Sequence, residues 1–178
     1  MKRQLKSGGF TLIEILLSIA IGTVITVASV PFFLNSLNAY RMSAAVSAVS
    51  GAISSTRFQA IMHGCAYQVV FTSATMSYQV YNELPATVGA SCASSFSAVG
   101  SAIPVPSAGP ITLPGTSFTF TFNSNGTVTQ ATSPSGTAFK LQNSLKSIYV
   151  YVSGVGDVET CQPTSLCTCS ATTPTVCN

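Results

Sequence analysis

Gly8-Gly9-Phe10-Thr11-Leu12-Ile13-Glu14, with the apolar run that continues to Leu34, decides how the rest of this 178-residue chain is read. Residues 10–34 carry a single charge, Glu14. At about 1.5 Å per residue the run is long enough to cross the roughly 30 Å hydrocarbon core of a bilayer as a helix. Lys2, Arg3 and Lys6 precede it, and no basic residue follows until Arg41. That asymmetry predicts a cytoplasmic N-terminus and an exported remainder.

Glu14 is the oddity in this run. A carboxylate in an apolar helix costs about 2.5–3.5 kcal/mol at the membrane centre and less near the interface, so it calls for a partner. No Lys, Arg or His lies within one helical turn of it. Cleavage after Gly9 would create a new amine on Phe10, one turn or about 6 Å from Glu14. That amine is a partner for Glu14 in the same chain or in a neighbouring copy.

Gly9-Phe10-Thr11-Leu12-Ile13-Glu14 behind a short basic leader resembles the signal of type IV pilins and type II secretion pseudopilins. The resemblance implies cleavage between Gly9 and Phe10 by a prepilin peptidase, N-methylation of Phe10, and a role for Glu14 in filament assembly. It also implies a helix kink at Pro31. Two other readings of the same residues stand beside it. One is a secretory signal peptide cut after Thr26-Val27-Ala28, the other an uncleaved membrane anchor. Neither accounts for Glu14.

Length leaves room for one anchor helix and one modest domain. Only 6% of residues are charged and 47% are hydrophobic. The formal net charge of +3 belongs to the leader, because Arg41, Arg57, Lys140 and Lys146 balance Glu14, Glu83, Asp157 and Glu159 in the remainder. Net charge therefore gives no argument for a nucleic-acid partner. Cys65, Cys92, Cys161, Cys167, Cys169 and Cys177, in an exported chain, read as disulfides. The expected pairing joins Cys65 to Cys92 and places two bonds in the tail. A metal site at the four tail cysteines is the alternative, against which stand the lack of a CxxC pair and the distance in sequence of the only histidine, His63. No cofactor is expected.

The predicted organisation is a leader at 1–9, a transmembrane or filament-core helix at 10–34 and an amphipathic continuation at 35–64. A β-sheet domain follows at 65–161, with a long loop over 82–115, and a Cys-rich tail at 162–178 closes the chain. Met42, Val46, Val49 and Ile53 form one apolar stripe, with Ser43, Ser47, Ser50 and Ser54 turned away. His63-Gly64 ends the helix, and His63 reads as a helix-terminal residue without catalytic company. Strands are predicted at 66–72, 77–81, 117–122, 127–130, 137–141, 147–152 and 157–161. Asn125-Gly126 reads as a hairpin turn with both residues tolerating positive φ. Gly154-Val155-Gly156 is a turn and not a phosphate loop, since no helix follows it.

The fold class is therefore α+β, a long N-terminal helix packed on an antiparallel sheet. Phe122-Asn123-Ser124-Asn125-Gly126 and Ile148-Tyr149-Val150-Tyr151-Val152-Ser153-Gly154 resemble the corresponding segments of GspH/FimT-like minor pilins and pseudopilins. That resemblance implies a non-enzymatic subunit in the inner membrane that initiates or caps a filament serving pilus assembly, twitching motility, adhesion or DNA uptake. Its implied partners are other major and minor pilins or pseudopilins, the prepilin peptidase, and an inner-membrane platform with its assembly ATPase. A subunit of the type II secretion pseudopilus and a membrane-anchored adhesive module that never polymerises are the alternatives. Nucleic acid is not favoured, because the tail after Cys161 has no Lys or Arg.

Overall fold

The computed structural model describes residues 10–85, 90–106, 117–131, 138–143, 146–164, 167–169 and 176–177. The predicted leader with Gly9, and parts of the 82–115 loop and of the tail, lie outside them. One helix, α1, spans Leu12–His63 and continues through Pro31. It starts two residues later than the predicted Phe10, because Thr11 occupies the capping position. The chain divides into two compact units, one up to Leu37 and one from Asn38 onward.

The second unit is built as predicted, a helix on antiparallel sheets. Met42, Val46, Val49 and Ile53 of α1 are buried, joined by Ala45, Ala52, Thr56 and Ala60. The alanines let the helix lie close to the sheet. Gly64 closes α1 in the left-handed conformation, φ 66°, with its amide bonded to the Ala60 carbonyl.

Strands β1 (Tyr67–Thr72), β2 (Ser77–Asn82), β3 (Ser97–Pro104), β4 (Ser117–Phe122) and β5 (Val128–Ala131) form a sheet of order β3-β2-β1-β4-β5. Alternation sets its inner face, where Tyr67, Val69 and Phe71 of β1 stand opposite Phe122, Phe120 and Phe118 of β4. All six are buried, and Phe71 packs edge-on to Phe120. A second sheet, β6 (Ala138–Gln142), β7 (Ser147–Val152) and β8 (Val158–Cys161), completes the core with Leu141, Ile148, Val150 and Val152. Tyr149 and Tyr151 lie on its other face, as the period of two requires. In the tail, β9 (Cys167–Thr168) pairs with β10 (Val176–Cys177), setting Cys177 opposite Cys167.

Two expectations are corrected. The 82–115 stretch is not one loop, because β3 runs through it as an edge strand. Its sequence, Ser97-Ala98-Val99-Gly100-Ser101-Ala102-Ile103-Pro104, has only two β-branched residues and no alternation, so tertiary pairing and not propensity makes it a strand. Gln79 secures it by donating from Nε2 to the Val99 and Gly100 carbonyls at 3.2 and 3.1 Å, across an irregularity in the β2–β3 register. The second correction concerns the β4–β5 turn, where Gly126 alone takes positive φ, 80°, and Asn125 does not. It is a three-residue loop closed by Asn123 N to Thr127 O at 2.9 Å and Gly126 N to Asn123 O at 2.8 Å. Asn125 Oδ1 accepts from Thr127 N and Thr127 Oγ1, which holds that side chain inside the turn.

Candidate functional site

The first turn of α1 ties Glu14 to Thr11, with Phe10 immediately before them. Thr11 is the N-cap, and its Oγ1 accepts from the Glu14 amide at 3.3 Å while its carbonyl accepts from the Glu14 and Ile15 amides. Thr11-Leu12-Ile13-Glu14 thus has the Thr-x-x-Glu spacing of a capping box, which the sequence reading did not use. Glu14 lies in the first turn, where the positive end of the helix dipole favours a carboxylate.

Downstream, the surface of α1 is apolar and uncovered. Phe10, Leu12, Ile13, Val24, Val27 and Phe32 are each at least 70% exposed, and residues 10–36 are all exposed. The hydroxyls of this stretch are turned back on the helix. Ser18 donates to the Glu14 carbonyl, Thr23 to Ala20, Thr26 to Gly22 and Ser29 to Ile25, at 2.7–2.8 Å. Backbone bonding of this kind removes the polar cost of placing Ser and Thr in lipid or in a helix bundle. Pro31 sits inside α1 and donates no amide to the turn before it.

In the second unit one polar junction was missed by the sequence reading. Arg57 of α1 donates from Nη1 to Asp157 Oδ1 at 2.7 Å and from Nε to the Gly126 carbonyl at 3.3 Å. Val128 N bonds to the Gly154 carbonyl beside it, so the tips of both sheets meet under one guanidinium. Gly156 has φ 84°, and a Cβ there would stand 2.5 Å from the Gly126 carbonyl oxygen. The readable signal was two turn glycines and an acid matched to an arginine in the last turns of the helix, but nothing local in the sequence says that they meet.

The other singled-out residues fall elsewhere. His63 is exposed and stacks on the Tyr67 ring at 5.8 Å. Cys65 is bonded to Cys92, and Cys161 to Cys169. Tyr151 packs against Cys161, Cys169 and Tyr149, and its phenol is held above its ordinary range by burial first and by the neighbouring Tyr149 second. Among the described residues no group of three His, Cys, Asp or Glu side chains gathers where an ion would sit.

One match to a known family model falls on the N-terminal segment. Residues 5–30 match the prokaryotic N-terminal methylation motif, the prepilin-type signal of type IV pilin-like and pseudopilin chains. Such chains are structural subunits that a prepilin peptidase processes and that assemble with one another. The matched stretch holds the capped first turn, Glu14 and most of the exposed apolar surface. No curated protein and no solved structure matches the chain.

Proposed function

We propose that this chain is a minor subunit of a type IV pilus or a related pseudopilus, cut between Gly9 and Phe10, methylated on Phe10 and used in few copies to start or cap the filament. The observation that carries the reading is the methylation motif on a capped helix whose exposed stretch over residues 12–36 carries no charge except Glu14. Before assembly, lipid covers that face, with the N-terminus cytoplasmic and the disulfide-bonded domain in the periplasm. On assembly, neighbouring helices replace lipid and the Phe10 amine of one subunit meets a Glu14 carboxylate. Pro31, which leaves one helical carbonyl without its amide, is where the helix bends during packing. The role is structural, and a pilus is preferred to a non-polymerising anchor because an anchor has no use for Glu14.

The test is the intact mass of the protein from its own membranes, together with its recovery in sheared filaments. A mass starting at methylated Phe10 is expected, and Glu14→Ala is expected to keep membrane insertion while abolishing recovery in filaments. A mass starting at Met1 or Ser29, or normal incorporation of Glu14→Ala, would sink the reading.

A further inference from the structure

The second unit separates its charges by position. Of its basic residues, Arg57 is paired with Asp157, and Lys140 lies over the Tyr149 ring at 5.9 Å. Arg41 and Lys146 have no carboxylate or ring partner among the described residues.

These two cations reach one end of the unit through the turn between β6 and β7. Asn143, a buried polar residue, donates from Nδ2 to the Asn38 carbonyl of α1 at 3.4 Å. It also closes the turn on Lys146, by Asn143 N to Lys146 O at 2.9 Å and Lys146 N to Asn143 Oδ1 at 2.8 Å. Lys146 is thereby held at the turn of α1 that carries Tyr40 and Arg41. That turn opens the second unit, directly after Leu37 ends the first. Tyr40 is 73% exposed there, and Arg41 and Lys146 are half-buried.

The acids of the unit lie elsewhere. Asp157 is bonded to Arg57, about 24 Å along α1 from Arg41. Glu83 is tied by its amide to the Ala66 carbonyl, past the C-terminal end of the helix. Glu159 stands opposite Tyr151, about 13 Å along β7 from Ser147. With a Debye length of about 8–10 Å, salt screens most of their pull on the two cations.

The end that holds Arg41 and Lys146 has the chemistry of a bilayer boundary. Residues 12–37 rise about 38 Å as a helix, close to the roughly 40–45 Å of a bilayer with its headgroups. A tyrosine at the end of such a stretch sets its ring at headgroup level, and Arg and Lys lay their stems on apolar surface while the charged head reaches phosphate.

We infer that Tyr40, Arg41 and Lys146 form a rim that seats the second unit on acidic phospholipid headgroups of the membrane that anchors α1, with the two cations taking lipid phosphates. The inference rests on the membrane-anchored stage of the proposed function and adds a specific lipid contact to it. The chain carrying Tyr40→p-benzoylphenylalanine, purified from its own membranes and reconstituted in vesicles of phosphatidylcholine and phosphatidylglycerol, tests it. After irradiation, adducts at position 40 are expected to hold phosphatidylglycerol about fivefold or more above its share of the mixture, the preference that one cation near a charged surface supplies. Arg41→Gln with Lys146→Gln should return the adducts to the ratio of the mixture, whereas Arg41→Lys with Lys146→Arg should keep the enrichment. Adducts at the ratio of the mixture with Arg41 and Lys146 in place, enrichment that survives the glutamine pair, its loss in the charge-retaining pair, or adducts with a second copy in place of lipid would overturn the inference. The intact mass of the same sample separates it from the prepilin reading. A chain starting at methylated Phe10 without enrichment sinks only the lipid contact. Enrichment in a chain starting at Met1 sinks only the prepilin reading.

Discussion

The two stretches of α1 on either side of Leu37 solve opposite problems with one backbone geometry. Before it, the apolar side chains point outward and the hydroxyls fold back onto the helix. After it, Met42, Val49 and Ile53 are wholly buried while Ser43, Ser47 and Ser54 face out. The difference shows that helix formation is local but that solvent is not. One stretch is written for surroundings that the domain does not supply, and the other carries its own sheet.

The largest test of this contrast is a matched pair of truncations. Phe120→Ala should lower the stability of the second unit by about 3–5 kcal/mol in denaturant titrations, since Phe120 is fully buried. Phe33→Ala, at 63% exposure in the first stretch, should leave that titration unchanged. Equal effects would mean that the apolar surface before Leu37 packs on the domain and is not reserved for lipid or other helices.

Gly156→Ala comes next. It forces a side chain into positive φ and against the Gly126 carbonyl, and a loss of about 2–4 kcal/mol is expected in the same titration. A neutral outcome would show that the junction around Arg57 yields easily. Thr11→Ala is smaller, about 1 kcal/mol, and should appear as faster amide exchange at Glu14 and Ile15 in micelles with the domain unaffected.

The smallest effect concerns pH. The Tyr151 phenol is raised above 10.0 in the folded chain, so the unfolded chain gives up that proton first as pH rises. The contribution is present below pH 10 and lost above it. Tyr151→Phe should flatten the decline in stability across that alkaline range, and an unchanged slope would assign the decline to other groups.

Much of the fold was legible because its signals are local. The stripe at Met42, Val46, Val49 and Ile53, the alternation of Phe118, Phe120 and Phe122, and the split of Tyr149 and Tyr151 from Ile148, Val150 and Val152 are periodicities of three to four and of two, and the structure keeps them. Thr11 was legible too, by the Thr-x-x-Glu spacing, but the charge on Glu14 drew the reading toward an amine on Phe10 instead.

By itself, the sequence determined the long apolar helix, its single carboxylate, the methylation motif over residues 5–30 and the α+β order, since each depends on residues near one another in the chain. Only the tertiary structure decided that Ser97–Pro104 is a strand, that Asn125 stays out of positive φ, and that Arg57 bridges Gly126 and Asp157. Those outcomes depend on pairing across the sheet and on a contact between residues 100 positions apart, where hydrogen-bond partners are chosen by proximity in space and no propensity of the local sequence anticipates them.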